Sequence, residues 1–319
     1  MKIVFLESDT LGDDVDLSCF EQFGEVVIYP KSEPTLNADR VADADVIITN
    51  KVPMNESTLY KADQLKLICV TATGTNIVDF DYTNRKGIDV RNVKAYSTDS
   101  VVQHTFALLF YIYEKLSFYD QFVKSGEYAK TDIFSMFSMK FHELAGKTFG
   151  IIGLGAIGEG VAKVATAFGA KVIYYSTSGK NANDSYERVD IDTLLSSSDI
   201  ISIHAPLNEN TKNLITAKEF DCMKSTAVIL NLGRGMIVNE KDLADALLAG
   251  KIQAAGLDVL SVEPMERDNP LLKVQDSTKL IITPHIAWAT VEARQRCVKE
   301  TFMNVQAFVN GEKRNCVNS

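Results

Sequence analysis

The chain has 319 residues, 46% of them hydrophobic and 24% charged, with a formal net charge of −9. That length suits two ordinary domains. No apolar run reaches the roughly 18 residues of a membrane span, and an acidic chain without a basic block is a poor nucleic-acid binder.

The first residues, Met1 to Leu6, run straight into Glu7 and Asp9, so they read as a strand and not a signal peptide. Short β-rich runs follow at Glu25–Tyr29, Asp45–Thr49 and Lys66–Val70, and this series ends near Asn92. A single long helical pattern is expected from Ser100 to about Lys124. A second series starts with Thr148–Ile152 and Lys171–Tyr175 and continues through Ile200–Ile203, Ala227–Asn231, Ala254–Asp258 and Leu280–Thr283. Continuous Val/Ile/Leu runs alternating with helices predict parallel strands covered on both faces, hence an α/β protein with two sheets. A last amphipathic helix is expected over about Val291–Val309, capped by Thr290 and stopped at Asn310-Gly311. Cys19, Cys69, Cys222, Cys297 and Cys316 form no Cys-x-x-Cys pair, which points to reduced cytoplasmic thiols. With only four histidines and no His/Cys cluster, no zinc site is expected.

Gly153, Gly155 and Gly158 form a G-x-G-x-x-G between an apolar strand and a helix. That context makes a lone motif informative. The first glycine permits a tight turn, the second lets backbone approach a pyrophosphate, and the third lets helix and strand pack. Ala156 and Ile157 would offer helix N-terminal N–H groups to the phosphates. A Rossmann-type doubly wound sheet with a nicotinamide dinucleotide is therefore expected. An acid should stand at the tip of the next strand to accept from the ribose hydroxyls. Here Ser176, Thr177 and Ser178 stand there, with Gly179 and Lys180 after them, and Asp184 lies beyond the turn. Hydroxyls, backbone and one cation would tolerate the 2′-phosphate of NADP(H). An NAD(H) enzyme with a weaker ribose contact is the equal alternative.

Three later strand ends carry Arg234, Glu263 and His285. Transfer of a hydride to or from a C–OH needs a group that moves the hydroxyl proton, and histidine suits that near neutral pH. A carboxylate beside it orients the imidazole. An arginine can clamp a substrate carboxylate with two parallel hydrogen bonds. Each residue alone has a plain structural explanation; three at strand ends of one dinucleotide fold is a far rarer coincidence.

On Gly153-Leu-Gly-Ala-Ile-Gly158, His204-Ala-Pro-Leu207, Gly233-Arg-Gly235, Leu257-Asp-Val with Glu263-Pro264, and Pro284-His285, nearly the whole chain resembles the D-isomer-specific 2-hydroxyacid dehydrogenase family. The resemblance implies a discontinuous, smaller flavodoxin-like α/β substrate domain, residues 1–100 with 288–319. It implies a dinucleotide domain at 101–287, and a cleft that closes on substrate. By it, His285 is the acid/base, Glu263 its partner and Arg234 the carboxylate anchor. His204, Ala205, Pro206, Leu232 and Gly233 line the cofactor cleft, with Asp258 near the nicotinamide and Val102 touching it. Amides of Thr73, Gly74 and Thr75 bind the substrate carboxylate, Lys51 adds charge, Trp288 walls the pocket, and His104 packs or bonds between domains. The segment Leu116–Phe149 resembles the family's homodimer contact. Glycerate/hydroxypyruvate is the expected substrate pair, glyoxylate included, with D-lactate/pyruvate next. A cofactor-sensing regulator on the same fold is the rival of another class.

Overall fold

The computed structural model describes residues 1–180 and 182–318. The chain divides into two compact units: Met1–Ser97 joined by the chain from Ala289 onward, and Thr98–Trp288.

The first unit holds a five-stranded parallel sheet in the order β2-β1-β3-β4-β5. The strands are β1 (Lys2–Phe5), β2 (Glu25–Ile28), β3 (Val46–Thr49), β4 (Leu67–Val70) and β5 (Asp89–Arg91). This is the flavodoxin-like order, whose direction reverses between β1 and β3. Alternate side chains serve opposite faces. Ile3, Phe5, Val46, Ile48, Leu67 and Cys69 pack with Val298 and Val305 of the terminal helix. Val4, Ile47, Ile68, Val70 and Val90 enter the other core. The terminal helix spans Val291–Val309, with the Thr290 hydroxyl accepting from Ala293 N and Asn310 at its end, as its capping residues predict. Buried Arg91 ties the tail to β5, donating 2.9 Å bonds to Asn304 O and Glu312 O while pairing with Asp89.

The second unit holds seven parallel strands in the order β12-β11-β10-β9-β6-β7-β8. They are β6 (Thr148–Ile152), β7 (Lys171–Tyr175), β8 (Glu187–Arg188), β9 (Ile200–Ile203), β10 (Val228–Asn231), β11 (Ala254–Leu257) and β12 (Leu280–Ile282). Counted from β6, this is the 3-2-1-4-5-6 order of dinucleotide-binding sheets with a seventh edge strand, and it reverses between β6 and β9. Ile152, Ile173, Ile201, Ile203, Ile229 and Leu257 fill one core. Phe149, Ile151, Val172, Tyr174, Ile200 and Leu230 fill the other, against the helix Thr98–Tyr113.

Two strands lack the expected apolar signature. β5 is three residues, two of them charged, and β8 is an exposed two-residue edge. The single helix expected from Ser100 to Lys124 is two, Thr98–Tyr113 and Leu116–Lys124. Lys115 breaks it with φ +57°, burying its side chain so that the ammonium donates to Thr278 O at 3.3 Å. Burial lowers the pKa of that ammonium. After Lys124 the chain is largely irregular to Lys147 and leaves Phe134 91% and Phe137 80% exposed. No helix among the described residues is long and apolar enough to cross a membrane.

Candidate active site

The turn after β6 tests whether a dinucleotide fits. Gly153 has φ +93°, and a Cβ there would sit 2.9 Å from His204 O. At Gly158 a Cβ would sit 2.3 Å from Gly153 O, so the helix Ala156–Ala167 can approach its strand only without a side chain. At Gly155 nothing lies within 4 Å of such a Cβ. Two glycines are thus needed for packing, and the middle one keeps open space in front of the helix N-terminus. The first N–H groups of Ala156 and Ile157 point there, as at any helix start. Val102, from the helix Thr98–Tyr113, lays its methyls against Gly160 of the same glycine-rich helix.

At the end of β7, Ser176 is buried and its hydroxyl has no partner among the described residues. An orphaned hydroxyl there fits a ribose contact. Thr177 is half-buried and Lys180 exposed. Gly179 closes the turn, with N–H to Ser176 O at 3.2 Å. Its carbonyl accepts from Arg188 Nη1 at 3.1 Å. Arg188 is a second cation on this turn that the sequence reading missed, because two-residue β8 carries no apolar signal.

β9 ends in His204, Ala205 and Pro206. His204 Nε2 lies 2.7 Å from Ser202 Oγ, and its Nδ1 is enclosed without a partner among the described residues. Burial pushes this imidazole down to about 3, so it is neutral at physiological pH. Ala205 is buried and Pro206 exposed. A Cβ on Gly233 would meet Ala205 O at 2.9 Å, so this glycine lets the ends of β9 and β10 close up beside buried Leu232.

The reactive side chains follow three adjacent strands, where ligands of open parallel sheets lie. Arg234 follows β10 and Asn231 organises it: Asn231 Nδ2 donates to Arg234 O at 3.0 Å, and Asn231 Oδ1 accepts from Gly233 N at 3.1 Å. The guanidinium donates to Gly233 O at 2.8 Å and is only half-buried, which leaves other N–H groups for a ligand. Glu263 follows β11 in a loop that Glu240 holds, through Ser261 N (2.5 Å) and Asn269 Nδ2 (2.7 Å). His285 follows β12. Its Nδ1 is 2.6 Å from Glu263 Oε2. A carboxylate there accepts the hydrogen bond from Nδ1–H and leaves Nε2 to face a reactant.

His285 has φ +56°, a region side chains rarely occupy. Its N–H reaches Asp258 O and Thr283 O, both at 2.9 Å. The Asp258 carboxylate accepts from Ile286 N and Ala287 N at 2.9 Å and from Thr283 Oγ1 at 2.7 Å. Asp258, expected as a support near the nicotinamide side, is 2% exposed and bonded within the protein, where four donors of the His285 turn converge on it or its carbonyl. His104, expected to pack or bond between domains, bonds inside the second unit: Nε2 is 3.0 Å from Thr283 Oγ1. Trp288 ends that unit, half-buried.

In the first unit, the loop Thr73-Gly74-Thr75 follows β4. Asn92 Nδ2 holds Thr73 O at 2.7 Å and Thr73 Oγ1 donates to Val93 O at 2.9 Å. No acceptor among the described residues faces the N–H groups of Thr73, Gly74 or Thr75. Lys51, exposed after β3, gives its N–H to Glu7 Oε1 at 2.5 Å. No group of three or more His, Cys, Asp or Glu among the described residues could hold a metal.

An open glycine turn at the switch point of a doubly wound sheet, with a histidine–carboxylate pair and an arginine on neighbouring strand ends, defines an oxidoreductase that works with a nicotinamide dinucleotide. The family model "D-isomer specific 2-hydroxyacid dehydrogenase, NAD binding domain" matches residues 106–287. The chain is 39% identical to hydroxypyruvate reductase of Blautia hydrogenotrophica, covering 100% of both. It is 37% identical to glycerate dehydrogenase of Methylorubrum extorquens, over 99% of this chain and 98% of that one. It is similar to the crystal structure of D-lactate dehydrogenase from Aquifex aeolicus complexed with NAD and lactic acid, with a TM-score of 0.87, 29% identity and 99% of each chain covered. The chain belongs to the D-isomer-specific 2-hydroxyacid dehydrogenase family.

Proposed function

We propose that this enzyme reduces hydroxypyruvate to D-glycerate, with glyoxylate as a second substrate. The observation that carries the reading is the 2.6 Å contact between His285 and Glu263 on the sheet that bears the open glycine turn. The bound nicotinamide supplies the hydride. As the keto oxygen gains charge, His285 Nε2 gives it a proton, while Glu263 holds Nδ1–H and stabilises the imidazolium. Arg234 binds the substrate carboxylate as a two-pronged donor. The amides of Thr73, Gly74 and Thr75 are assigned to the same carboxylate, Lys51 to local positive potential and Trp288 to a pocket wall. Gly153, Gly155 and Gly158, with Ala156 and Ile157, hold the pyrophosphate. His204 to Pro206, Leu232, Gly233 and Val102 line the rest of the cofactor site.

For the adenosine end, Ser176, Thr177, Lys180 and Arg188 favour acceptance of NADP(H) beside NAD(H). Strong rejection of NADPH in kcat/KM would remove this part. The exposed aromatic segment around Phe134 and Phe137 supports a homodimer, since exposed apolar patches of this kind mark interfaces; sedimentation giving a monomer would sink it. All five cysteines are unpaired, which favours the reducing cytoplasm, checked by cell fractionation.

The decisive experiment is a panel of hydroxypyruvate, glyoxylate and pyruvate with NADH and NADPH. The expected order of kcat/KM places hydroxypyruvate first. His285→Ala should lose about a thousandfold in kcat while still quenching on NADH binding. Pyruvate first would mean a D-lactate enzyme, and cofactor binding with no turnover a regulator.

A further inference from the structure

We propose that His104 is a positioning residue for His285, acting through Thr283 and Asp258. It rests on the reading of His285 as the proton carrier. The directions of the hydrogen bonds follow from counting protons. The Thr283 hydroxyl has one. Asp258 Oδ1, an acceptor only, stands 2.7 Å away and takes it. The Thr283 oxygen therefore faces His104 Nε2, 3.0 Å away, as an acceptor, and His104 carries its proton on Nε2. A one-way chain results: His104 Nε2–H to Thr283 Oγ1–H to Asp258. Asp258 then receives the N–H groups of Ile286 and Ala287, the two residues after His285.

This chain joins two elements that are far apart in sequence. His104 rides on the helix Thr98–Tyr113, while the turn follows β12. The turn holds His285 at φ +56°, which persists in a side-chain-bearing residue only where its surroundings over-determine it. Glu263 orients the imidazole ring, whereas the relay fixes the backbone from which that ring projects. Without His104 the Thr283 hydroxyl can turn to Leu257 O, 3.4 Å away, and Asp258 loses a donor. The turn then relaxes and His285 Nε2 leaves its line of proton transfer. Arg234 and the β10 strand end keep their own bonds with Asn231 and Gly233.

The test is steady-state kinetics with hydroxypyruvate and NADH in H2O and D2O. His104→Leu should lower kcat about tenfold with KM within twofold, and raise the solvent isotope effect, because misplacement costs the proton-transfer step. His104→Gln, which restores a donor, should recover most of the loss. Thr283→Val should reproduce the defect, and the double variant should be no worse than either single one. Thr283→Val alone carries the test if His104→Leu does not fold. Additive losses, a change confined to KM, or Gln no better than Leu would overturn the relay. Wild-type kinetics in His104→Leu together with an inactive His285→Ala would reject this proposal alone. An active His285→Ala would instead reject the proton-carrier reading beneath it.

Discussion

At the switch point of the second unit, between β6 and β9, the turn Gly153–Gly158 leaves room for an anion before a helix N-terminus. At that of the first unit, between β1 and β3, Glu7 occupies the equivalent crevice with the protein's own carboxylate. Glu7 Oε1 accepts from Thr49 Oγ1 (2.8 Å) and from the N–H groups of Asn50 (2.7 Å), Lys51 (2.5 Å) and Val52 (3.0 Å). Both sheets present backbone donors at the carboxyl ends of their strands, as parallel sheets of this type do. One leaves them open and the other uses them to fix a loop. Topology therefore makes the seat, and one side chain decides whether it is free.

The largest effect should come from making the open seat resemble the filled one. Gly155 has φ −91° and nothing within 4 Å of its missing Cβ, so Gly155→Asp can fold without a clash. Its carboxylate would lie where we propose that the pyrophosphate binds. Like charges placed together cost several kcal/mol, so cofactor affinity should fall about a thousandfold. Titration of NADH fluorescence reads the loss, and an unchanged melting temperature shows that the fold survives. Tight NADH binding by this variant would mean that the dinucleotide does not use this turn.

Emptying the filled seat should cost stability. Glu7→Ala strands the N–H groups of Asn50 and Val52 and the Thr49 hydroxyl in a buried crevice, for a loss of about 3 kcal/mol. Glu7→Gln keeps one acceptor oxygen and should lose less. Formate at high concentration should restore part of the alanine variant's stability by refilling the site, and not help the wild type. Equal urea midpoints for all three proteins would show that Glu7 is not what fixes this loop.

This contrast also shows what sequence could reveal. The glycine spacing was legible because three glycines between a strand and a helix have few other uses. His285, Glu263 and Arg234 were legible as residue types at strand ends. The capped terminal helix was legible because Thr290 and Gly311 are local signals, Gly311 having φ +73°. Glu7 was not, because its four donors come from the end of β3 and the loop after it, more than 40 residues away. The break at Lys115 was hidden for a similar reason: no glycine or proline marks it, and its cause is the distant carbonyl of Thr278. Arg188, Thr283 and His104 matter through tertiary neighbours that no spacing rule encodes.

The smallest effect separates the seats by their response to acid. His204, at the end of β9, is enclosed around its ring although the residue keeps some surface, and burial lowers its pKa from 6.5 to about 3. The unfolded chain takes up a proton at this residue as pH falls below 6.5, and the folded chain does not until near 3. The unfolded state binds more protons in that window, so stability is full above it and falls within it. One proton corresponds to at most about 1.4 kcal/mol for each pH unit. Other groups titrate in the same range, so the informative quantity is a difference. His204→Gln removes the imidazole and keeps a polar group for Ser202. Urea midpoints of variant and wild type should run in parallel above pH 7 and converge or cross below pH 6, as only the wild type pays this proton uptake. If the two curves stay parallel down to pH 4.5, the ring is not held neutral by burial, and the second unit's open seat carries no such acid sensitivity.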